Sequence, residues 1–243
     1  MIALLEWVPQ GKGRRAAAMK EDVVLHLRVL RLALERGPRT PEAVLRRRVG
    51  KAARQLKKLG IAQVVLPPAF PYMEQLEKQG VRPVSTLALR RDIAAEWVRA
   101  ALEASRISTG GARVAVCARQ LTGEVVRTVT ELALRHRYVL VSVPRGGEEL
   151  SRQLRREYGV SLLLSPTREQ LAEAEAAVLF DPAEDPGSRV TLRLYEEAVP
   201  LPGLSLPPAL EAQLPADVDR GQLLATLRSA GVLKPGQICV TVA

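Results

Sequence analysis

The sequence is poor in aromatics, cysteine, histidine and long apolar runs, and each shortage removes a class of function. Aromatic residues make up 3% of the 243 positions against an apolar fraction of 47%, so the core is expected to be built from Leu, Val and Ala instead of stacked rings. The same shortage removes the interleaved aromatics on which a single-strand nucleic-acid binder stacks bases. Two cysteines, Cys117 and Cys239, make neither a disulfide framework nor a metal cluster. Each lies in a strand-like apolar run, where cysteine usually acts as a small buried hydrophobe. Two histidines, His26 and His136, leave little choice of general base, and neither a Ser/His/Asp order nor a G-x-S-x-G elbow occurs. No apolar run approaches the roughly 20 residues needed to span a bilayer, and Met1–Trp7 lacks the charged n-region of a signal peptide. A cytoplasmic protein with no membrane partner is expected; no reaction is named.

What is present in excess is positive charge, and it is one-sided. Residues 1–110 carry 21 Lys/Arg and 10 Asp/Glu, whereas residues 111–243 carry 15 and 16. The net charge of +10 therefore sits in the first half, which suggests a polyanionic partner or an acidic protein surface for that half.

Met1–Val8 reads as a short strand stopped by Pro9. A basic loop follows at Gln10–Arg15, with Gly11 and Gly13 flanking Lys12, but it lacks the GxxxxGK[ST] spacing of a phosphate cradle. Glu21–Glu35 carries two periods at once. Leu25, Leu27 and Val29 alternate, while Val23, Leu27, Leu30 and Leu34 make a helical stripe; the length and the Arg36-Gly37-Pro38 stop favour a helix. The next helix opens at Thr40-Pro41-Glu42, with Thr40 as N-cap. It buries Leu45, Val49, Ala52, Ala53, Leu56 and Leu59, and stops at Gly60. Its remaining positions include Arg46, Arg47, Arg48, Lys51, Arg54, Lys57 and Lys58. These cations, with little acid to pair them, are the best nucleic-acid signal in the chain, because phosphate neutralisation needs clustered Lys and Arg. The bland alternative is a solvated amphipathic face. Ile61–Leu66 then reads as a strand, Tyr72–Gln79 as a short helix, and Ser85 as the cap of a longer helix burying Leu89, Ile93, Trp97 and Ala101.

The small, polar stretch Ile107–Ala112 is the expected domain junction. Beyond it, apolar runs at Val114–Cys117, Tyr138–Val143, Val160–Leu164 and Ala177–Phe180 read as parallel strands covered on both faces. Amphipathic helices join them, the last opening with Thr167 and Gln170 at capping-box spacing. After Asp181 prolines break the pattern, apart from a strand at Val190–Tyr195, a helix at Asp217–Ala230 and a last strand at Ile238–Val242 that could join either sheet. The fold class expected is α/β in two halves, the second an open parallel sheet. The boundaries expected are 1–108 for a basic α/β domain, 109–185 for a βαβαβαβ core, and 186–243 for a Pro-rich segment whose terminal helix and strand pack on the rest.

Over residues 112–182 the second half resembles the dinucleotide-binding Rossmann domains in architecture. In such sheets ligands sit beyond the carboxyl ends of the strands, which directs attention to loops 118–123, 144–147, 165–167 and 181–187. Aligning the last glycine of GxGxxG on Gly123 puts Ala118 and Gln120 where the other two glycines belong, so two β-carbons stand where backbone should approach pyrophosphate. After the second strand, NAD binders place an acid; here stands Arg145, which suits a 2′-phosphate. The ligand-binding candidates are Arg119, Thr122, Gly123, Arg145, Gly146, Gly147, Ser165, Thr167 and Asp181, with Thr122-Gly123 and Gly146-Gly147 offering helix N-termini to an anion. No catalytic residue or metal ligand emerges, and no cofactor is assigned. The leading expectation is a Rossmann-like ligand-sensing or interaction scaffold with a degenerate phosphate loop, its partner a phosphate-bearing small molecule. The alternatives are nucleic-acid binding through helix 41–59 and an atypical NADP-type oxidoreductase.

Overall fold

The computed structural model describes residues 2–9 and 17–241, so the basic glycine loop at Gln10–Arg15 lies outside the described residues. The chain forms two compact units, Met1–Thr86 with Leu206–Gln237, and Leu87–Ser205 with Ile238–Ala243.

The first unit is built on β1 (Ile2–Pro9), β2 (Ala17–Val24), β3 (Leu27–Arg36), α1 (Glu42–Lys58), β4 (Gln63–Val65), α2 (Met73–Glu77) and β5 (Arg82–Pro83). Its sheet has the order β2-β3-β1-β4-β5, with β2 antiparallel to β3 and the other pairs parallel. The helix expected over Glu21–Glu35 is therefore a hairpin. Its turn is Leu25-His26, with φ of 47° and 72°, a two-residue left-handed turn whose twist suits paired strands. Neither residue is the glycine or asparagine that usually marks such a turn, so the local signal was missing and the alternation of Leu30, Leu32 and Leu34 decided the outcome. These three pack with Ala3 and Leu5 of β1 and with Leu45, Val49, Ala52, Ala53 and Leu56 of α1 in one core. Each buried side chain of this size is worth about 1.5–3 kcal/mol relative to exposure.

Thr40 does not cap α1. The N-cap is Pro41, without a side-chain hydrogen bond, and the Thr40 hydroxyl instead accepts from the Gly37 N–H at 2.9 Å, closing the turn that precedes the helix. The stop is as expected, with Gly60 at φ 71° and the N–H of Ile61 returning to the Leu56 carbonyl at 3.0 Å, but Leu59, expected on the buried face, is the C-cap and is exposed.

In the second unit one helix was expected from Ser85, and two are found, α3 (Leu87–Asp92) and α4 (Ala94–Ala104). Trp97 is buried, as its spacing implied, with the Arg90 guanidinium 5.9 Å above its ring. Residues 107–112, the expected junction, lie inside this unit, where the Thr109 carbonyl is 2.6 Å from His136 Nδ1. Then follow β6 (Arg113–Cys117), α5 (Gly123–Ala133), β7 (Tyr138–Ser142), α6 (Gly147–Tyr158), β8 (Leu162–Leu164), α7 (Arg168–Ala172), β9 (Ala176–Leu179), β10 (Val190–Arg193) and β11 (Gly203–Ser205). The sheet order β10-β9-β6-β7-β8 is parallel throughout. Chain order thus departs from β6 in both directions, which is the Rossmann-type arrangement and puts a topological switch point between β6 and β9.

The chain then returns to the first unit with α8 (Pro208–Glu211) and α9 (Arg220–Ser229). Asp219 caps α9 by accepting from Gln222 N–H at 2.8 Å, and Gln222 Oε1 accepts from Leu66 N–H at 2.9 Å, tying the helix to the end of β4. The last strand, β12 (Cys239–Thr241), joins neither large sheet; it pairs antiparallel with β11 in a two-stranded ribbon. Cys239 is exposed there instead of buried, because a ribbon's outer face has nothing packed on it. No helix among the described residues is long and apolar enough to cross a membrane.

Candidate functional site

Two pockets open at the carboxyl ends of the second unit's strands. One, of about 390 Å³, lies beyond β7 and β8 at the start of α6 and is lined by Val143, Arg145, Gly146, Gly147, Glu148, Glu149, Arg152, Leu164 and Ser165 among others. The other, of about 260 Å³, lies at the switch point and is lined by Arg91, Arg119, Gln120, Thr122, Glu124, Val125, Phe180 and Asp181. They share no lining residue. Of the nine sequence candidates, Arg145, Gly146, Gly147 and Ser165 thus belong to the first pocket and Arg119, Thr122 and Asp181 to the second. Gly123 and Thr167 line neither; the Thr167 hydroxyl is used to cap α7, accepting from the Gln170 N–H at 3.3 Å.

The charged groups of the switch-point pocket are partnered within the protein. Asp181 Oδ2 accepts from the backbone N–H of Arg119 at 2.8 Å, and the Arg119 guanidinium donates to the Pro182 carbonyl at 3.1 Å. Arg91 pairs with Glu124 at 3.1 Å. The Thr122 hydroxyl accepts from Val125 N–H at 3.4 Å, the cap of α5. Leu121, which lines neither pocket, packs on Gly146: a β-carbon there would lie 2.9 Å from its Cδ2. The loops carrying Thr122-Gly123 and Gly146-Gly147 do adjoin, through this leucine.

The α6 pocket is arranged differently. Gly146 is the N-cap, at φ 84° and ψ −10°, and no side chain caps the helix. The first-turn N–H groups of an α-helix have no acceptor within the helix, and here they face a pocket rimmed by Arg145 and Arg152. A β-carbon on Gly147 would approach Val143 Cγ2 to 3.3 Å, a tight contact. Among the described residues, neither Arg145 nor Arg152, nor the carboxylates Glu148 and Glu149, makes a hydrogen bond or ion pair. Glu148, Glu149 and Arg152 escaped the sequence reading because they sit on the solvent-facing surface of an amphipathic helix, indistinguishable from ordinary solvated charge.

Nucleophilic chemistry finds no support. Burial pushes the Cys117 thiol up to about 11. His136 is 4% exposed, and burial lowers its pKa despite its hydrogen bond to Thr109. Among the described residues no group of three or more His, Cys, Asp or Glu could hold a metal ion.

On the first unit, the seven basic candidates of α1 divide by environment. Arg48 is half-buried and donates to the Glu35 carbonyl, and Arg46 pairs with Glu42 at 2.6 Å. Arg47, Lys51, Arg54, Lys57 and Lys58 are exposed.

No family model matches the chain, and no curated protein matches it. Among solved structures, a dipicolinate synthase subunit from Bacillus halodurans is 18% identical, with 71% of this chain and 67% of that one covered and a TM-score of 0.37. L-tryptophan dehydrogenase from Nostoc punctiforme is 14% identical, with 62% and 44% covered and a TM-score of 0.29. Shikimate 5-dehydrogenase from Listeria monocytogenes, in complex with shikimate and NAD, is 9% identical, with 60% and 57% covered and a TM-score of 0.27. The chain spans about half the length of these two dehydrogenases.

Proposed function

We propose that the second unit binds a small phosphate-bearing molecule at the start of α6 and acts as a ligand-sensing scaffold. The observation that supports this most is the contrast between the pockets: the charged groups Arg91, Arg119, Glu124 and Asp181 at the switch point are partnered within the protein, while Arg145, Arg152 and the uncapped first turn of α6 are not. Free N–H groups and the helix dipole favour an anion at that place, and two guanidiniums match phosphate oxygens by paired donation. Glu148 and Glu149 on the same rim accept hydrogen bonds, so the preferred ligand carries hydroxyl groups beside its phosphate, as a ribose phosphate does. The pocket's volume, about 390 Å³, falls at the small end of the range for ligand sites and suits a mononucleotide.

A dinucleotide fits this arrangement less well. Its pyrophosphate would have to cross the loop where Asp181 holds the Arg119 N–H and Leu121 covers Gly146. The NADP-type reading is therefore reduced to the 2′-phosphate end, at Arg145. Thermal melts with adenosine 2′-monophosphate, adenosine 5′-monophosphate, inorganic phosphate and NADP separate the possibilities. A ligand at 100 times its dissociation constant adds about 2.7 kcal/mol of apparent stability. A mononucleotide is expected to raise the melting temperature, Arg145→Ala with Arg152→Ala to abolish the rise, and NADP to bind no more tightly than adenosine 2′-monophosphate. No rise with any of the four compounds, or a rise that survives the double substitution, would overturn the proposal. NADP binding tenfold tighter than the mononucleotide would restore the oxidoreductase.

A further inference from the structure

We propose that the solvent face of α1 docks on the phosphate backbone of a duplex nucleic acid without regard to base sequence. The sequence shows clustered cations; the structure shows how they are disposed. At about 100° per residue, Arg46, Lys57, Arg54, Arg47, Lys58 and Lys51 fill a continuous arc of about 140°, opposite the side on which Leu45, Val49, Ala52, Ala53 and Leu56 are buried. Arg47, Lys51, Arg54, Lys57 and Lys58 pair with no carboxylate among the described residues; the two nearby acids, Glu42 and Glu74, are taken by Arg46 and Lys78 at 2.6 Å each. An ordinary solvated helix interleaves glutamate at i±3 and i±4 so that neighbours attract. Here those spacings join like charges: Arg47 to Lys51, Lys51 to Arg54, Arg54 to both Lys57 and Lys58. Such repulsion weakens the free helix and is relieved by a polyanion.

The charge divides unevenly between the two units. The first unit contains 20 Lys/Arg and 10 Asp/Glu, the second 16 of each. The whole net charge thus resides in the unit that carries α1.

The chemistry of the face selects the partner. From Arg47 to Lys58 the cations extend over about 17 Å of helix, a length along which duplex DNA presents one negative charge about every 1.7 Å. Single strands are disfavoured because α1 has no aromatic side chain, and the unit's rings Trp7, Phe70 and Tyr72 pack on one another with centroids 5.7–6.0 Å apart. Base readout is disfavoured because the arc's polar side chains are all Lys and Arg, with Gly50 and Ala43 among them and Gln55 turned half inside. A helix adsorbed to a bilayer places its apolar side in the lipid, whereas the apolar side of α1 is 0–5% exposed within the core.

The test is fluorescence anisotropy with a random-sequence 25-base-pair duplex. Five phosphate contacts give a slope of log K against log salt of about −4.5, hence a loss of about 500-fold between 50 and 200 mM salt. Arg47→Ala with Lys51→Ala and Lys58→Ala, all on exposed side chains, should leave the melting temperature no lower than the parent's, since like-charge repulsion is relieved, and reduce the slope to about −2. Arg156→Ala in the second unit should leave both affinity and slope as they were. The proposal is overturned by any of these: no duplex binding at 50 mM salt, an unchanged slope in the triple variant, an equal loss with Arg156→Ala, tighter binding to single strands, or capture by phosphatidylserine vesicles without binding to duplex.

Discussion

Gly123 opens α5 and Gly146 is the N-cap of α6, and alanine is expected to act oppositely at the two. Gly146 precedes α6 in the left-handed region, at φ 84°, which costs an L-residue roughly 1–2 kcal/mol. The new methyl would also stand 2.9 Å from Leu121 Cδ2; that atom ends a flexible side chain and can give way, so the backbone dominates. Against this, the unfolded chain loses entropy when glycine becomes alanine, offsetting about 0.4–1 kcal/mol. The balance is a destabilisation of about 1 kcal/mol. Gly123 is the first residue of α5, and nothing lies within 4 Å of a β-carbon there. With only the unfolded-state term in play, Gly123→Ala should stabilise by about 0.5 kcal/mol. For a urea dependence of about 2 kcal/mol per molar, the midpoints of the two variants should differ by about 0.7 M, with the parent between them. A Gly146→Ala midpoint at or above the parent's would refute the left-handed cap, and a fall in Gly123→Ala as large as in Gly146→Ala would refute the distinction drawn between the two loops.

The cysteines and the buried histidine give two further expectations. Thiol titration at pH 8 should modify exposed Cys239 first and Cys117 at least 100-fold more slowly, since a thiol pushed up to about 11 is only about one-thousandth thiolate there; one rate for both would contradict the burial. Burial lowers the His136 pKa below the unfolded value of about 6.5. The unfolded chain therefore takes up a proton that the folded chain refuses, and stability should fall as pH drops below about 6.5, by up to about 1.4 kcal/mol per pH unit, until the folded value is reached. Unfolding curves at pH 7.5, 6.5 and 5.5 should show this slope in the parent and a shallower one in His136→Gln; equal slopes would assign the pH dependence elsewhere.

The parallel sheet of the second unit was legible because its central strands are locally consistent. Val114–Val116, Val139–Val141 and Ala176–Leu179 are apolar on both faces and buried on both, and Thr167 with Gln170 forms the capping box that their spacing announces. The first unit's hairpin was hidden because a non-glycine pair, Leu25-His26, makes its turn, and because Leu27, Leu30 and Leu34 satisfy two periods at once until β1 pairs with β3 over the register Ile2↔Val29 to Pro9↔Arg36. The return of α9 to the first unit and of β12 to the second depends on contacts more than 100 residues apart, such as Leu66 to Gln222, for which no local signal exists. At the site, the glycines of the α6 turn were visible in the sequence. What separated them from Thr122-Gly123 was not, because it lies in two side chains, Leu121 and Asp181, whose positions only the assembled sheet determines.

Asp181 explains why the failed fingerprint is not simply a site in decay. In a dinucleotide-binding turn the glycines matter because backbone N–H groups must reach a ligand's phosphate without β-carbons intervening. Here the acceptor belongs to the protein: a carboxylate from the end of β9 reaches across the switch point to the Arg119 N–H at 2.8 Å, and Arg119 in turn holds the Pro182 carbonyl. Once the anion is internal, Ala118 and Gln120 obstruct nothing, and no steric reason for glycine remains at either position. The same bond fastens the loop after β6 to the loop after β9, and whereas Thr122 takes one first-turn N–H of α5, no side chain takes any at the start of α6, where Gly146 holds the left-handed cap.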